Sequence, residues 1–320
     1  MLAERLPHNP IISPETPGFG SAEAAANING PSLIRVPEWV PNPLGKYYLY
    51  FAHHHGDHIR LAYADSLDGP WRIHMPGVLH LGDSRFINHI ASPDAHIDHS
   101  AKQIRLYYHG VLTPEERDRV EPEIDEVMFS SQRSRLALSG DGLHFEERPE
   151  VLASAYFRVF AFKGAYFGIT MPGLLYRSED GLSDFERGPL LLGDDAKRDL
   201  YFGPRAEMAV RHLAVEVVDD ETLRVYFSRM RDEPERILVS TVDACGDWSV
   251  WKVSDPETVL APEEPYEGAD LPLLRSERGS SLERVHQLRD PGIFTEDGRT
   301  YLLYTVAGEM GIAIAELFDD

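Results

Sequence analysis

Five short segments of this sequence repeat one pattern, and any fold has to accommodate all five. Each is an aromatic-rich run with strand character: Lys46–Ala52, Gln103–His109, Ala165–Thr170, Leu223–Ser228 and Thr300–Thr305. A second apolar run follows each of them, at Ile59–Tyr63, Arg133–Leu138, Gly173–Arg177, Ile237–Thr241 and Gly311–Ala315. The first four of these second runs enter turns, Ser66–Trp71, Ser139–Phe145, Ser178–Phe185 and Asp243–Trp248. In such turns Asp bonds the amides that follow it and Gly supplies φ > 0, so they read as structural punctuation.

Antiparallel units of four strands recurring every 55 to 75 residues or so predict an all-β chain, a single five-bladed β-propeller spanning residues 1–320. The fifth copy stops after its third strand at Glu316–Asp320, so a strand from the amino-terminal lead-in of residues 1–30, around Pro10–Ser13, is expected to close the ring. A doubly wound α/β fold fails for want of amphipathic helices between strands. One helix is expected, Thr113–Val127, in an acidic loop.

With 42% hydrophobic residues the chain buries a sizeable core. No apolar run approaches membrane-spanning length, and the start of the sequence lacks the basic and apolar regions of a secretion signal, so a cytoplasmic location is expected. The single Cys245 excludes an intrachain disulfide framework. A net charge of −22, from 53 acidic and 31 basic residues, disfavours nucleic acid and anionic membranes as partners.

Propeller topology puts first-strand heads and the loops after second strands on one face, with the Asp-Gly turns on the other. The functional face then draws on Asn29–Ser32, Ser92–Asp94, Arg158, Glu207–Arg211 and Arg289-Asp290, with loops at His53–Asp57, His109, Met171-Pro172, Arg229–Glu233 and Gly308-Glu309.

Asn9–Ile12, Gly30–Val36 and Lys46–Tyr50 resemble the opening of five-bladed propeller glycoside hydrolases of the arabinanase and β-xylosidase type. Arg289–Phe294 is similar to the Arg-Asp-Pro motif of the related invertase and levansucrase group. The resemblance implies a carbohydrate substrate and carboxylate acid/base chemistry in the central pocket. It implies an Asp before the first-blade Pro-Ser as general base, but here Gly30 stands there, preceded by Asn29. If Pro93 aligns with Pro291, Ser92 takes the Asp position and Asp94 falls two residues later.

Glycoside hydrolysis needs a protonated acid and a second carboxylate, and Asp94, Asp290 and Glu207 are the catalytic candidates, with Glu216 and Glu309 as substitutes for the acid. Asp290 is read as an ionised carboxylate tuned by Arg289. Glu207 stands at about the interval where the resembled family carries its acid. Asn29, His53, His54, His55, His89, Arg158, Arg211 and Arg289 are the substrate-binding candidates, with His58 and His109 nearby. Strand alternation lets no more than two of His53–His55 face a ligand. Trp39, Phe86, Tyr156 and Phe157 are candidates for sugar stacking, and Arg158, Arg211 and Arg231 would suit a carboxylated sugar unless they only balance Asp94 and Asp290. No zinc-like spacing occurs and no cofactor is expected, a structural cation in the central channel being the one ion left open. Two other readings remain: a propeller that binds sugar without turnover, and a lyase or transferase using His in place of the missing Asp.

Overall fold

The computed structural model describes residues 1–120, 132–171, 173–192 and 210–319. They form five antiparallel sheets arranged as the blades of a propeller. Blade one contains Asn29–Arg35, Tyr47–Ala52, His58–Ala64 and Arg72–His80, and blade three contains Arg158–Phe162, Ala165–Thr170, Leu174–Ser178 and Glu186–Leu190. The outer strand is split in blade two (Glu146–Glu147, Ala153–Ser154) and in blade four (Lys252–Val253, Glu257–Leu260).

The second strands are fully or nearly fully buried because blades stack face to face, so both faces of a central strand meet apolar neighbours. Five large apolar clusters result, one at each junction between neighbouring blades. Tyr48, Tyr50, Leu61, Leu106 and Tyr108 fill the first junction. Leu49, Phe51, Leu303 and Ile314 fill the junction between blades five and one. Polar pins add to the packing: the Tyr50 hydroxyl donates to the Gly142 carbonyl at 3.0 Å and the Tyr107 hydroxyl to the Gly181 carbonyl at 2.6 Å. Each pin ties a core tyrosine to the Asp-Gly turn of the next blade.

The ring closes through the amino terminus, but with a different segment from the one expected. Leu2–Arg5 pairs with Ile312–Phe318 as the fourth strand of blade five, while Ile12 makes only an isolated bridge to Ile312. Between them, the Asn9 side chain both donates to and accepts from the Ile314 backbone. The proline at 10, lacking an N–H, separates the two contacts. The expected helix is a single turn, Pro114–Arg117, capped by the Thr113 hydroxyl, and residues 121–127 of the prediction lie outside the described residues. No helix among the described residues is long and apolar enough to cross a membrane.

One local feature positions the functional face. The first strands slip register at Asn29/Ser32, Ala91/Asp94, Val210/Leu213 and Arg289/Gly292, a bulge at the same place in four blades. Its second residue is left-handed at Gly30 (φ 61°), Ser92 (51°) and Asp290 (48°), and Tyr156 (61°) holds the matching place ahead of Arg158. Such a conformation is a real outlier for a residue as bulky as tyrosine, and strain of this kind concentrates at functional sites.

Candidate active site

The bulge in blade five turns Arg289 and Asp290 in different directions. Asp290 is buried at the mouth of the propeller, its Oδ1 2.7 Å from Nδ1 of His212 in blade four. Arg289 was expected to tune this carboxylate and does not. Its guanidinium donates to Gln287 Oε1 and to Glu309 Oε1, the latter at 3.0 Å, and lies 3.3 Å from Glu235. Burial pushes the Asp290 carboxyl up and Glu309 adds to this, but His212 and Arg211 outweigh both and the net direction is down, toward the ionised form.

Glu309 is the second carboxylate of the mouth. Its Oε2 accepts from Asn27 at 2.5 Å and from Asn29 at 3.1 Å and faces Nδ1 of His54 at 3.5 Å. Burial opposes ionisation, yet His54, Arg289 and Asn27 bring its pKa far below the ordinary value. That excludes Glu309 as a proton donor near neutrality. Behind it Glu235, fully buried, bridges Arg211 at 2.8 Å and Arg289 at 3.3 Å and accepts from Ser228 at 2.7 Å. Arg211 is therefore already balanced, which removes its share of the argument for a carboxylated sugar.

Asp290, Glu309, His54, His212, Arg211 and Arg278 line a cavity of about 50 Å³, with Tyr156, Met171 and Met230 as its apolar wall. A chain of ring contacts runs round the mouth. His54 meets His55 at 4.9 Å between centroids, His55 meets His89 at 5.8 Å, and His89 meets His109 at 6.0 Å. Tyr156 then packs against both His109 (4.4 Å) and His212 (4.3 Å). Burial lowers His89 to about 4, aided by His55 and His54, and takes His109 well below its ordinary value, so these two are held neutral.

Asp94 stands apart from Asp290. It lies two residues beyond Ser92, the residue that matches Asp290, and lines a separate cavity further along the channel with His96 and Arg158. Its Oδ2 accepts from the Val159 amide at 2.7 Å and sits 2.8 Å from His96 Nε2, while Arg158 is 3.9 Å from Oδ1. Arg158 also donates to the Pro93 and Leu213 carbonyls, which places its guanidinium among the first strands of blades two, three and four. Among the described residues no three His, Cys, Asp or Glu are grouped to hold a metal.

Several other sequence candidates lie elsewhere. His53 accepts from the His55 amide and braces its own loop, with burial, Arg60 and His55 lowering it to about 4. Glu216 accepts from Tyr226 at 2.7 Å and Thr300 at 3.0 Å, away from the pocket, so it is no substitute acid. Phe86 belongs to the core between blades one and two, where Trp39 packs against it, and Phe157 to the core between blades two and three, which leaves Tyr156 as the stacking candidate in the pocket. Glu207 and Pro172 lie outside the described residues. Sequence reasoning missed His212, Asn27, Glu235 and Gln287. Only His212 carried a signal, since it follows Arg211 at the head of a first strand.

No family model matches the chain. It is 36% identical over 337 aligned residues to the uncharacterized protein R118 of Acanthamoeba polyphaga mimivirus, covering 99% of this chain and 90% of that one. Solved structures share the propeller at low identity. A GH43 beta-xylosidase/alpha-arabinofuranosidase from a compost microbial metagenome, in complex with xylotriose, superposes with a TM-score of 0.62 at 12% identity, over 100% of this chain and 96% of that one. An alpha-L-arabinofuranosidase from Lactobacillus brevis gives 0.56 at 13%, over 98% and 93%. An N-acetylgalactosamine deacetylase from F. plautii, in complex with blood group B trisaccharide, gives 0.59 at 12%, over 98% and 95%. At these identities the likeness is one of fold.

Proposed function

This chain belongs to the family of the mimivirus protein R118 and has the five-bladed propeller of glycoside hydrolases, and from that premise we propose that it hydrolyses a glycosidic bond of a small oligosaccharide or glycoside in the pocket at the propeller mouth. The observation that carries the proposal is Asp290, a buried carboxylate kept ionised beside His212 in a pocket that also holds Glu309. Burying an ionised carboxylate is costly unless it is paired, so two at one cavity favour a reactive centre over a plain sugar-binding surface. A sugar ligand is further supported by the saccharides held by two propellers of similar fold. The deacetylase among them carries a different name for its reaction, so the reaction class rests on the pocket's own residues.

Asp290 is the proposed group on which activation of the attacking water depends. Glu207 stays the proposed acid, because Asp290, Glu309 and Asp94 all favour their ionised forms. Asp94 is proposed to organise the channel floor with Arg158. His54, Asn29 and Arg211 are proposed to surround the sugar, with Tyr156 under its apolar face. A panel of nitrophenyl glycosides and plant or algal oligosaccharides tests this. Wild type is expected to release product, and Asp290→Asn to lose activity by about 10²- to 10⁴-fold. Binding without release of any product, unchanged in Asp290→Asn, would leave a non-hydrolytic sugar-binding propeller.

A further inference from the structure

Asp290 has little freedom to act on a substrate alone. Its Oδ1 faces His212, its Oδ2 lies 3.5 Å from the Thr305 hydroxyl, and the residue is 2% exposed. His212 lines the same cavity and presents only one of its two ring nitrogens to the carboxylate. With Nδ1 turned to Asp290, the proton belongs on Nδ1 and the lone pair on Nε2. The 2.7 Å contact is bent away from a well-aligned hydrogen bond, a looseness common in catalytic pairs before substrate binds. Tyr156 packs on the imidazole at 4.3 Å between centroids and limits its rotation.

The geometry points to His212 as the catalytic base of this pocket and to Asp290 as its positioning residue. The assignment rests on the hydrolytic reading above. In the step, the Nε2 lone pair takes a proton from water as the water oxygen forms a bond to the anomeric carbon. The glycosidic C–O bond breaks, its electron pair stays on the leaving oxygen, and His212 then returns the proton to solvent. With a nitrophenolate leaving group no proton need be supplied to that oxygen, so such a substrate reports on the base and leaves the acid aside.

The charged and titratable groups around His212 are Asp290, Tyr156, His109, Arg158 and Arg211, with Glu309, His54 and Arg278 lining the same cavity. Burial is the largest influence and lowers its pKa, Asp290 raises it, and Arg158 and Arg211 lower it further; the net direction is down, toward the neutral base. The two assignments therefore shift the pH profile in opposite directions. If His212 is the base, kcat/KM falls on the acid side as His212 gains its proton, and Asp290→Asn, by removing the anion that favours imidazolium, moves that limb to lower pH. If Asp290 is the base, His212→Gln removes the partner that keeps it ionised, and the limb moves to higher pH.

The experiment measures kcat and KM against pH, on the aryl glycoside that wild type cleaves fastest, for wild type, His212→Gln and Asp290→Asn. The expected result is a kcat loss of about 10²- to 10⁴-fold in His212→Gln, with KM little changed and the acid limb gone. Asp290→Asn is expected to keep residual activity with its limb displaced downward. Near-wild-type kcat in His212→Gln with the limb displaced upward would overturn the assignment and leave the hydrolytic reading standing. No cleavage by wild type of any member of the panel would overturn both. Nitrogen NMR of the wild-type imidazole gives a check that needs no variant to fold: the proton is expected on Nδ1, and a proton on Nε2 at neutral pH would overturn the assignment.

Discussion

The strands of this propeller end in two kinds of surface, and the two differ in how their residues are specified. At the turn end, Asp141 accepts from the amides of Leu143 and His144, and Asp180 accepts from those of Leu182 and Ser183. Ser139 and Ser178 cap Gly142 and Gly181 in the same way. At the mouth the bulge recurs in four blades but its residues do not: Gly30, Ser92, Arg211 and Asp290 occupy its second position, and Tyr156 stands at the matching place in blade three. Turn residues satisfy their own backbone, so one solution serves both blades two and three. Mouth residues satisfy one another across blades, as Arg289 of blade five does with Glu235 of blade four and Asp290 does with His212. Repetition marks what the fold needs locally, and departure from it marks where a centre was built.

The contrast breaks most easily at Glu235. Glu235→Ala strands Arg211 and Arg289 without their shared carboxylate in a fully buried setting. A loss of about 3 to 5 kcal/mol is expected, read from the shift in the urea unfolding midpoint. A loss below about 1 kcal/mol would mean that the mouth network contributes no more than a surface turn.

At the opposite end Gly142→Ala has a smaller but definite expectation. The glycine sits at φ 77°, and a methyl group there would lie 2.7 Å from the Tyr50 hydroxyl oxygen and 3.0 Å from Ile104 Cδ1. Backbone strain and crowding together are expected to cost about 2 kcal/mol, measured the same way. Asp141→Ala, one residue earlier, is expected to cost about 1 kcal/mol at neutral pH, in line with other side-chain caps of backbone amides. Burial opposes ionisation of Asp141, but His144 and the capped amides lower its pKa from 3.8 to about 2. Its charge-dependent stabilisation is present above the ordinary value and is lost as the pH falls through about 2. The difference between wild type and Asp141→Ala should therefore narrow over that range, as acid titrations of the unfolding midpoint would read.

Most of the propeller was legible because strands and turns are local patterns. The five aromatic runs became the second strands, with bounds moved by two residues at most. The closing strand was misplaced because Leu2–Arg5 has no intrinsic strand character; it becomes a strand by pairing with the open edge of Ile312–Phe318. At the mouth, Asp290 stood out as a charge heading an apolar strand. His212 did not, because its meaning depends on a carboxylate that reaches it only when the ring closes. Glu235 and Asn27 were hidden for the same reason, since neither belongs to a repeat and both act on residues far away in sequence.

The smallest expected effect tests whether the mouth is as interchangeable in backbone as it is varied in side chain. Gly30 is left-handed, which by itself would suggest that only glycine fits. Yet Ser92, Tyr156 and Asp290 adopt that conformation at the matching place, so the bulge tolerates a Cβ. At Gly30 a Cβ would meet nothing nearer than Ser92 Cα at 3.4 Å, an ordinary contact, and the side chain of Asn or Asp is among the best tolerated at φ > 0. Gly30→Asp is therefore expected to fold with a change in stability of no more than about 1 kcal/mol, part of the strain being offset by the lower entropy of the unfolded chain. A thermal midpoint close to that of wild type would mean that the first blade lacks a carboxylate by choice of chemistry and not for want of space. A collapse of stability would show that blade one departs from the bulge of blades two and five, and that the equivalence of Gly30 with Asp290 is wrong.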